Sequence, residues 1–147
     1  MKAPLFTAKT YEGKSISLKD YTGKKNVVLY FYPKDDTPGC TKEACSFRDN
    51  LKRINNKSTI VLGVSVDNVK SHEKFKNKYE LNFDLVSDED HTIVEKYGVK
   101  RVRNERVSAN RVTFLIDKKG IIRYIWHSVK VDGHVDRVID KIKELGL

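Results

Sequence analysis

The sequence predicts a three-layer α/β domain, a central sheet covered by helices. Three observations carry this. Two runs, Val27 to Tyr32 and Thr59 to Val66, are apolar almost without interruption, as expected of strands buried on both faces. Segments with apolar residues at helical spacing follow each of them. The chain then closes with two further extended runs and an amphipathic helix.

In order, Leu5 to Thr10 and Lys14 to Leu18 flank Tyr11-Glu12-Gly13 and read as a hairpin. Ser17 to Tyr21 reads as a helical turn closed by Gly23. Val27 to Tyr32 is the first central strand, and a helix carrying Ala44, Phe47, Leu51 and Ile54 follows to Asn55. Thr59 to Val66 is the second central strand. Asp67 or Asn68 caps a helix to Tyr79, with Val69, Phe75 and Tyr79 inward. Asp84 to Ser87 is a short strand, and Thr92 to Tyr97 a short helix stopped by Gly98. Val99 to Asn110 reads as a basic loop. Arg111 to Asp117 and Ile121 to Val129 form a hairpin across Lys118-Lys119-Gly120. Asp132 caps a last helix whose stripe is Val135, Val138, Ile139, Ile142 and Leu145. No internal repeat, linker or low-complexity segment interrupts this order.

The 147 residues suit one domain spanning the chain. No apolar run is long enough to span a membrane. Met1-Lys2-Ala3-Pro4 leads into mixed polarity with no secretory apolar segment, so a cytoplasmic protein is expected. The 29 Lys and Arg against 20 Asp and Glu give a net charge of +9. That excess raises nucleic acid as a partner. The densest cluster is Lys96, Lys100, Arg101, Arg103 and Arg106, and no zinc-finger spacing, phosphate loop or aromatic RNA-binding signature accompanies it. A solvated basic surface is the favoured reading, with no nucleic-acid partner. Two cysteines do not make a secreted disulfide scaffold. Cys-x4-Cys alone does not ligate an iron–sulfur cluster. The four histidines are scattered, so neither metal nor organic cofactor is expected.

The chemistry concentrates between the first central strand and its helix, in Pro33-Lys34-Asp35-Asp36-Thr37-Pro38-Gly39-Cys40-Thr41-Lys42-Glu43-Ala44-Cys45. Cys40 stands at a helix start. A thiol there faces unpaired backbone N–H groups and the positive end of the helix dipole, which favours its thiolate. Thr37, three residues earlier, brings a hydroxyl toward the sulfur.

Pro33, Thr37 and Cys40 stand at the spacing of the peroxiredoxin signature. Cys45 resembles the second cysteine of the bacterioferritin comigratory protein or peroxiredoxin Q subgroup. Ala3-Pro4, Phe6-Thr7, Gly23, Phe47-Arg48-Asp49, Gly63-Val64-Ser65, Arg111 before Thr113-Phe114-Leu115-Ile116-Asp117, and Gly133-His134 extend the resemblance over nearly the whole chain. It implies a thioredoxin-like fold, a mixed sheet flanked by helices with an N-terminal β-hairpin. It implies a thiol-dependent peroxidase acting on hydrogen peroxide and organic hydroperoxides, re-reduced by a thioredoxin-like dithiol protein. Cys40 is then the nucleophile. Its backbone N–H and the Thr37 hydroxyl hold the peroxide, and Arg111 supplies a fixed cation for thiolate and leaving group. Glu43, one turn after Cys40, orients Arg111 or relays a proton. Pro33 shapes the loop, and Arg48 supports the site by pairing with a carboxylate.

The resemblance also implies that oxidised Cys40 condenses with Cys45. Five residues turn a helix by about 500° and place the two Cα atoms roughly 8–9 Å apart. A disulfide spans no more than about 7 Å, so the bond requires the first turns to unwind. Ser108-Ala109-Asn110 departs from the family, where many relatives carry a glycine, and Val112 replaces a common small polar residue. The chain carries no C-terminal extension with its own cysteine, which favours an intramolecular disulfide and a monomer. Two alternatives are a peroxide sensor that relays its disulfide to a partner, and a basic module binding nucleic acid or an acidic protein.

Overall fold

A computed structural model describes residues 1–10, 14–55 and 58–147. The strands are β1 (Thr7–Lys9), β2 (Ser15–Ser17), β3 (Asn26–Phe31), β4 (Thr59–Ser65), β5 (Asp84–Ser87), β6 (Lys100–Arg103), β7 (Arg106–Ala109), β8 (Val112–Ile116) and β9 (Ile122–Trp126). The helices are α1 (Pro38–Asn55), α2 (Val69–Lys78), α3 (Thr92–Lys96) and α4 (His134–Glu144), with a 3₁₀ turn at Leu18–Tyr21. The expected turn at Tyr11-Glu12-Gly13 lies outside the described residues.

Seven strands form one sheet in the order β2-β1-β5-β4-β3-β8-β9. β3, β4 and β5 run parallel, because a helix returns the chain after β3 and again after β4. β8 runs antiparallel to β3, and β9 to β8. Every residue of β3 is buried, which explains the apolar run from Val27 to Phe31 after Asn26. Alternation along it separates two cores. Val28, Tyr30 and Tyr32 face Ala44, Phe47 and Ile54 of α1, Phe75 of α2, and Val138 and Ile142 of α4. Val27, Leu29 and Phe31 face the other layer, with Ile93 and Val94 of α3, Tyr97 and Phe114.

Two expectations need correction. Val99 to Asn110 is largely a two-stranded antiparallel ribbon, β6 on β7. Asn104 and Glu105 both take positive φ, 52° and 62°, the geometry of a two-residue hairpin turn that asparagine tolerates well. Its alternation, Arg-Val-Arg against Arg-Val-Ser, is the signal that the density of bases hid. Asp132 does not cap the last helix: Gly133 occupies the cap, at φ 73° and without a side-chain bond, while Asp132 pairs with Lys42 of α1. For α2 the open choice resolves to Asn68, whose side chain accepts the Ser71 N–H at 2.8 Å.

Candidate active site

Cys40 lies in the first turn of α1, and the turn forms for local reasons. Pro38 lacks an N–H and presets φ where a helix start has no bond to lose. The Thr37 carbonyl accepts the Thr41 N–H at 2.8 Å, the first bond of the helix. The Thr37 hydroxyl donates to the Lys34 carbonyl at 3.0 Å, folding the loop back on itself. Cys40 starts the buried stripe of α1, continued by Glu43, Ala44, Phe47 and Ile54. Its side chain is 1 % exposed.

Arg111 arrives from 71 positions later in the chain. The β3–β8 register explains how. Phe31 pairs with Val112, so Arg111 stands one step beyond, at the end of β3 where the cysteine loop begins. Its Nη2 donates to Cys40 Sγ at 3.3 Å, and its Nη1 donates to Glu43 Oε1 at 2.7 Å. One guanidinium thus holds the thiol and the carboxylate together, a fork that a lysine does not provide. Gly39 leaves the room: a Cβ there would stand 3.2 Å from Arg111 Nη2. Burial works against the Arg111 charge, but Glu43 and Cys40 outweigh it and shift its pKa upward.

Glu43 lies one turn after Cys40 on the same face. It is 1 % exposed, and burial pushes its carboxyl from 4.5 to about 7 against the opposing pull of Arg111. Its second oxygen, Oε2, is buried without a hydrogen-bond partner among the described residues. A group of this kind exchanges a proton near neutrality. His134 Nε2 lies 2.8 Å from the Thr113 hydroxyl, and burial, then Arg137 and Arg111, lower its pKa to about 4.

Cys45 is half-buried and, like Cys40, a free thiol. It lies off the buried stripe of α1, because five residues rotate the side chain by about 140° from Cys40. Among the described residues, Arg48 makes no hydrogen bond to either thiol. It pairs with Asp49 and donates to the Tyr79 carbonyl at 2.6 Å, tying α1 to the end of α2. Pro33 is half-buried in the loop.

Sequence reasoning missed the group that pins this loop. Asp35 is buried and accepts from the Tyr32 hydroxyl at 2.6 Å and the Ser71 hydroxyl at 2.8 Å. His72 Nδ1 lies 2.7 Å from its Oδ2, and His72 Nε2 lies 3.1 Å from the Val86 carbonyl. The Asp35 backbone N–H donates to Asp67 at 2.8 Å. Asp35, Asp67 and His72 bring ligand-type atoms within 4.8 Å of one another, so His72 is less isolated than its sequence position implied. Those atoms are engaged in the bonds just described. Asp36, at positive φ, adds bonds to Lys78 and the Tyr79 hydroxyl. Apart from Tyr32, three residues before Asp35, the partners lie more than 30 positions away, and no local spacing announces them.

The AhpC/TSA family model matches residues 1–125. A putative peroxiredoxin bcp of Coxiella burnetii is 52 % identical over 96 % of this chain and 95 % of its own. The chloroplastic peroxiredoxin Q of Triticum aestivum is 40 % identical over 97 % of this chain and 65 % of its own. Among solved structures, the bacterioferritin comigratory protein of Xanthomonas campestris, described for its alkyl peroxide reduction activity, superposes with a TM-score of 0.90. It is 35 % identical over 95 % of this chain and 89 % of its own. The chain belongs to the AhpC/TSA family and has the thioredoxin-like fold of its peroxiredoxins. Within that family its place is the bacterioferritin comigratory protein and peroxiredoxin Q subgroup. No helix among the described residues is long and apolar enough to cross a membrane.

Proposed function

We propose that this chain is a thiol-dependent peroxidase in which Cys40 reduces hydrogen peroxide and organic hydroperoxides. The Cys40 thiolate attacks one peroxide oxygen, the O–O bond breaks, and the other oxygen leaves with the electron pair as water or an alcohol once protonated. Cys40 becomes a sulfenic acid. The Cys45 thiol then attacks that sulfur, an S–S bond forms, and water leaves. A thioredoxin-like dithiol protein exchanges with the disulfide and restores both thiols.

The observation that carries this reading is Arg111, which donates to the Cys40 sulfur and to Glu43 at once. Its fixed charge stabilises the thiolate and then the negative charge that develops on the leaving oxygen. Glu43, with a carboxyl near 7, holds or releases a proton beside that oxygen. The Cys40 N–H donates to the peroxide, and the Thr37 hydroxyl, whose own proton goes to the Lys34 carbonyl, accepts from it. On its other side Arg111 forms part of a cavity of about 810 Å³ whose walls include Val99, Val112 and Phe114, apolar surface suited to an organic hydroperoxide. Both thiols lie on one helix, so a single chain completes the cycle, and the protein acts as a one-domain monomer. Free thiols suit the cytoplasm, and no metal or organic cofactor takes part.

The test is peroxide consumption with a thioredoxin system. Cys40→Ser abolishes it, because a serine hydroxyl is scarcely ionised at neutral pH. Cys45→Ser leaves the first reaction fast but stops turnover and drives Cys40 to overoxidation. Substantial turnover in Cys40→Ser refutes the nucleophile, and a Cys45 that stays a free thiol during turnover refutes the disulfide.

A further inference from the structure

The β6–β7 ribbon carries a feature that the peroxidase chemistry leaves unused. Arg101 pairs across the ladder with Ser108, and Arg103 with Arg106, so three guanidiniums share one face. All three are exposed. None has a carboxylate partner among the described residues, whereas nearby Lys100 is paired with Glu95. Arg103 and Arg106 stand directly opposite each other, an arrangement that costs a sheet stability. These arginines line a groove of about 770 Å³. It is lined also by Val66 and Asp67, and by Pro33 and Lys34, the start of the loop that runs into the cysteine helix. The acid in the groove, Asp67, already binds the Asp35 N–H and the Ser65 hydroxyl through Oδ2.

We propose that this groove, with Arg101, Arg103, Arg106 and Lys34, is the docking surface for an acidic face of the dithiol protein that re-reduces the Cys40–Cys45 disulfide. The inference rests on the peroxidase reading and names the surface that its reductant uses. The charge selects a polyanionic partner, and the position selects among polyanions. A molecule in this groove touches the loop next to Cys40, and the reductant is the macromolecule that must come to that loop in every cycle. Nucleic acid would satisfy the arginines equally but brings no dithiol to that loop. Docking also relieves the Arg103–Arg106 repulsion. Opposite charge across such a surface raises association rates about tenfold to a thousandfold, an advantage that salt removes.

The experiment uses the oxidised protein and an acidic bacterial thioredoxin kept reduced by its reductase. The rate constant for disulfide reduction is measured between about 20 mM and about 0.5 M ionic strength, where screening becomes nearly complete. Replacing Arg101, Arg103 and Arg106 together by Ser lowers that constant about tenfold or more at low salt, and the difference closes at high salt. Replacing all three by Lys retains most of the rate. Reduction by dithiothreitol and the first reaction with hydrogen peroxide stay unchanged in both variants, which excludes misfolding as the cause. An unchanged rate and salt dependence in the Ser variant overturns the proposal. So does salt-sensitive binding to a short DNA duplex that the Ser variant loses while its reduction rate holds. If dithiothreitol restores the thiols but thioredoxin does not at any salt, the reductant assignment itself fails, and the docking surface fails with it.

Discussion

Glu43→Gln tests how the site manages a carboxylate in its core. In the folded chain Glu43 protonates at about 7, against an ordinary 4.5. That difference corresponds to about 3 kcal/mol. The sign follows from proton binding. The folded state holds this proton more tightly than the unfolded one, so the associated stability is fully present below about 4.5 and is lost as pH rises through about 7. Glutamine keeps an oxygen for Arg111 Nη1 and cannot ionise. The stability of the wild type relative to Glu43→Gln therefore falls by about 3 kcal/mol between pH 4 and pH 8, mostly between the two protonation values. Urea unfolding of the reduced proteins across that range measures it. His134, lowered from 6.5 to about 4, acts in the opposite direction, but it is present in both proteins and cancels in the difference. The peroxide reaction is read in parallel: a pH limb with its midpoint near 7 is present in the wild type and absent from the variant. Stability curves that stay parallel across the whole range refute the buried, protonating carboxyl.

Arg111→Ala removes the donor to Cys40 Sγ and the ion-pair partner of Glu43, and slows the first oxidation about a hundredfold or more. Stopped-flow oxidation and the pH dependence of thiol alkylation detect it, and if both are unchanged Arg111 has no part in the reaction. Oxidation to the Cys40–Cys45 disulfide melts the start of α1, so amide exchange at Thr41 to Ala44 accelerates while β3, buried throughout, stays protected. An unchanged exchange pattern in protein with the mapped disulfide contradicts the unwinding. Gly63→Ala costs roughly 1–3 kcal/mol in urea unfolding, because its Cβ would fall 2.9 Å from Tyr30 and from Leu85. No loss there means that Tyr30 does not lie over Gly63.

What the sequence by itself determined is local. The apolar run of β3, the helical spacing of Ala44, Phe47 and Ile54, and the proline, glycine and cysteine at the helix start each act over a few residues through backbone geometry and periodicity. They were therefore legible without a structure, as was the distance that an intact helix keeps between Cys40 and Cys45. The cap at Gly133 and the ribbon over Lys100 to Ala109 were misread for a similarly local reason: Asp132 is an equally good capping residue on paper, and dense charge masked the alternation of Arg101, Val102 and Arg103. The tertiary structure alone decided which distant groups meet. The register of Phe31 on Val112 delivers Arg111 to Cys40 and Glu43. Burial beside that guanidinium then moves the Glu43 carboxyl to about 7. Asp35 finds His72 only because α2 packs against the sheet beside the end of β3. Electrostatics and hydrogen bonding act through space over a few ångströms, and sequence separations of 37 and 71 residues hold no record of those distances until the sheet closes them.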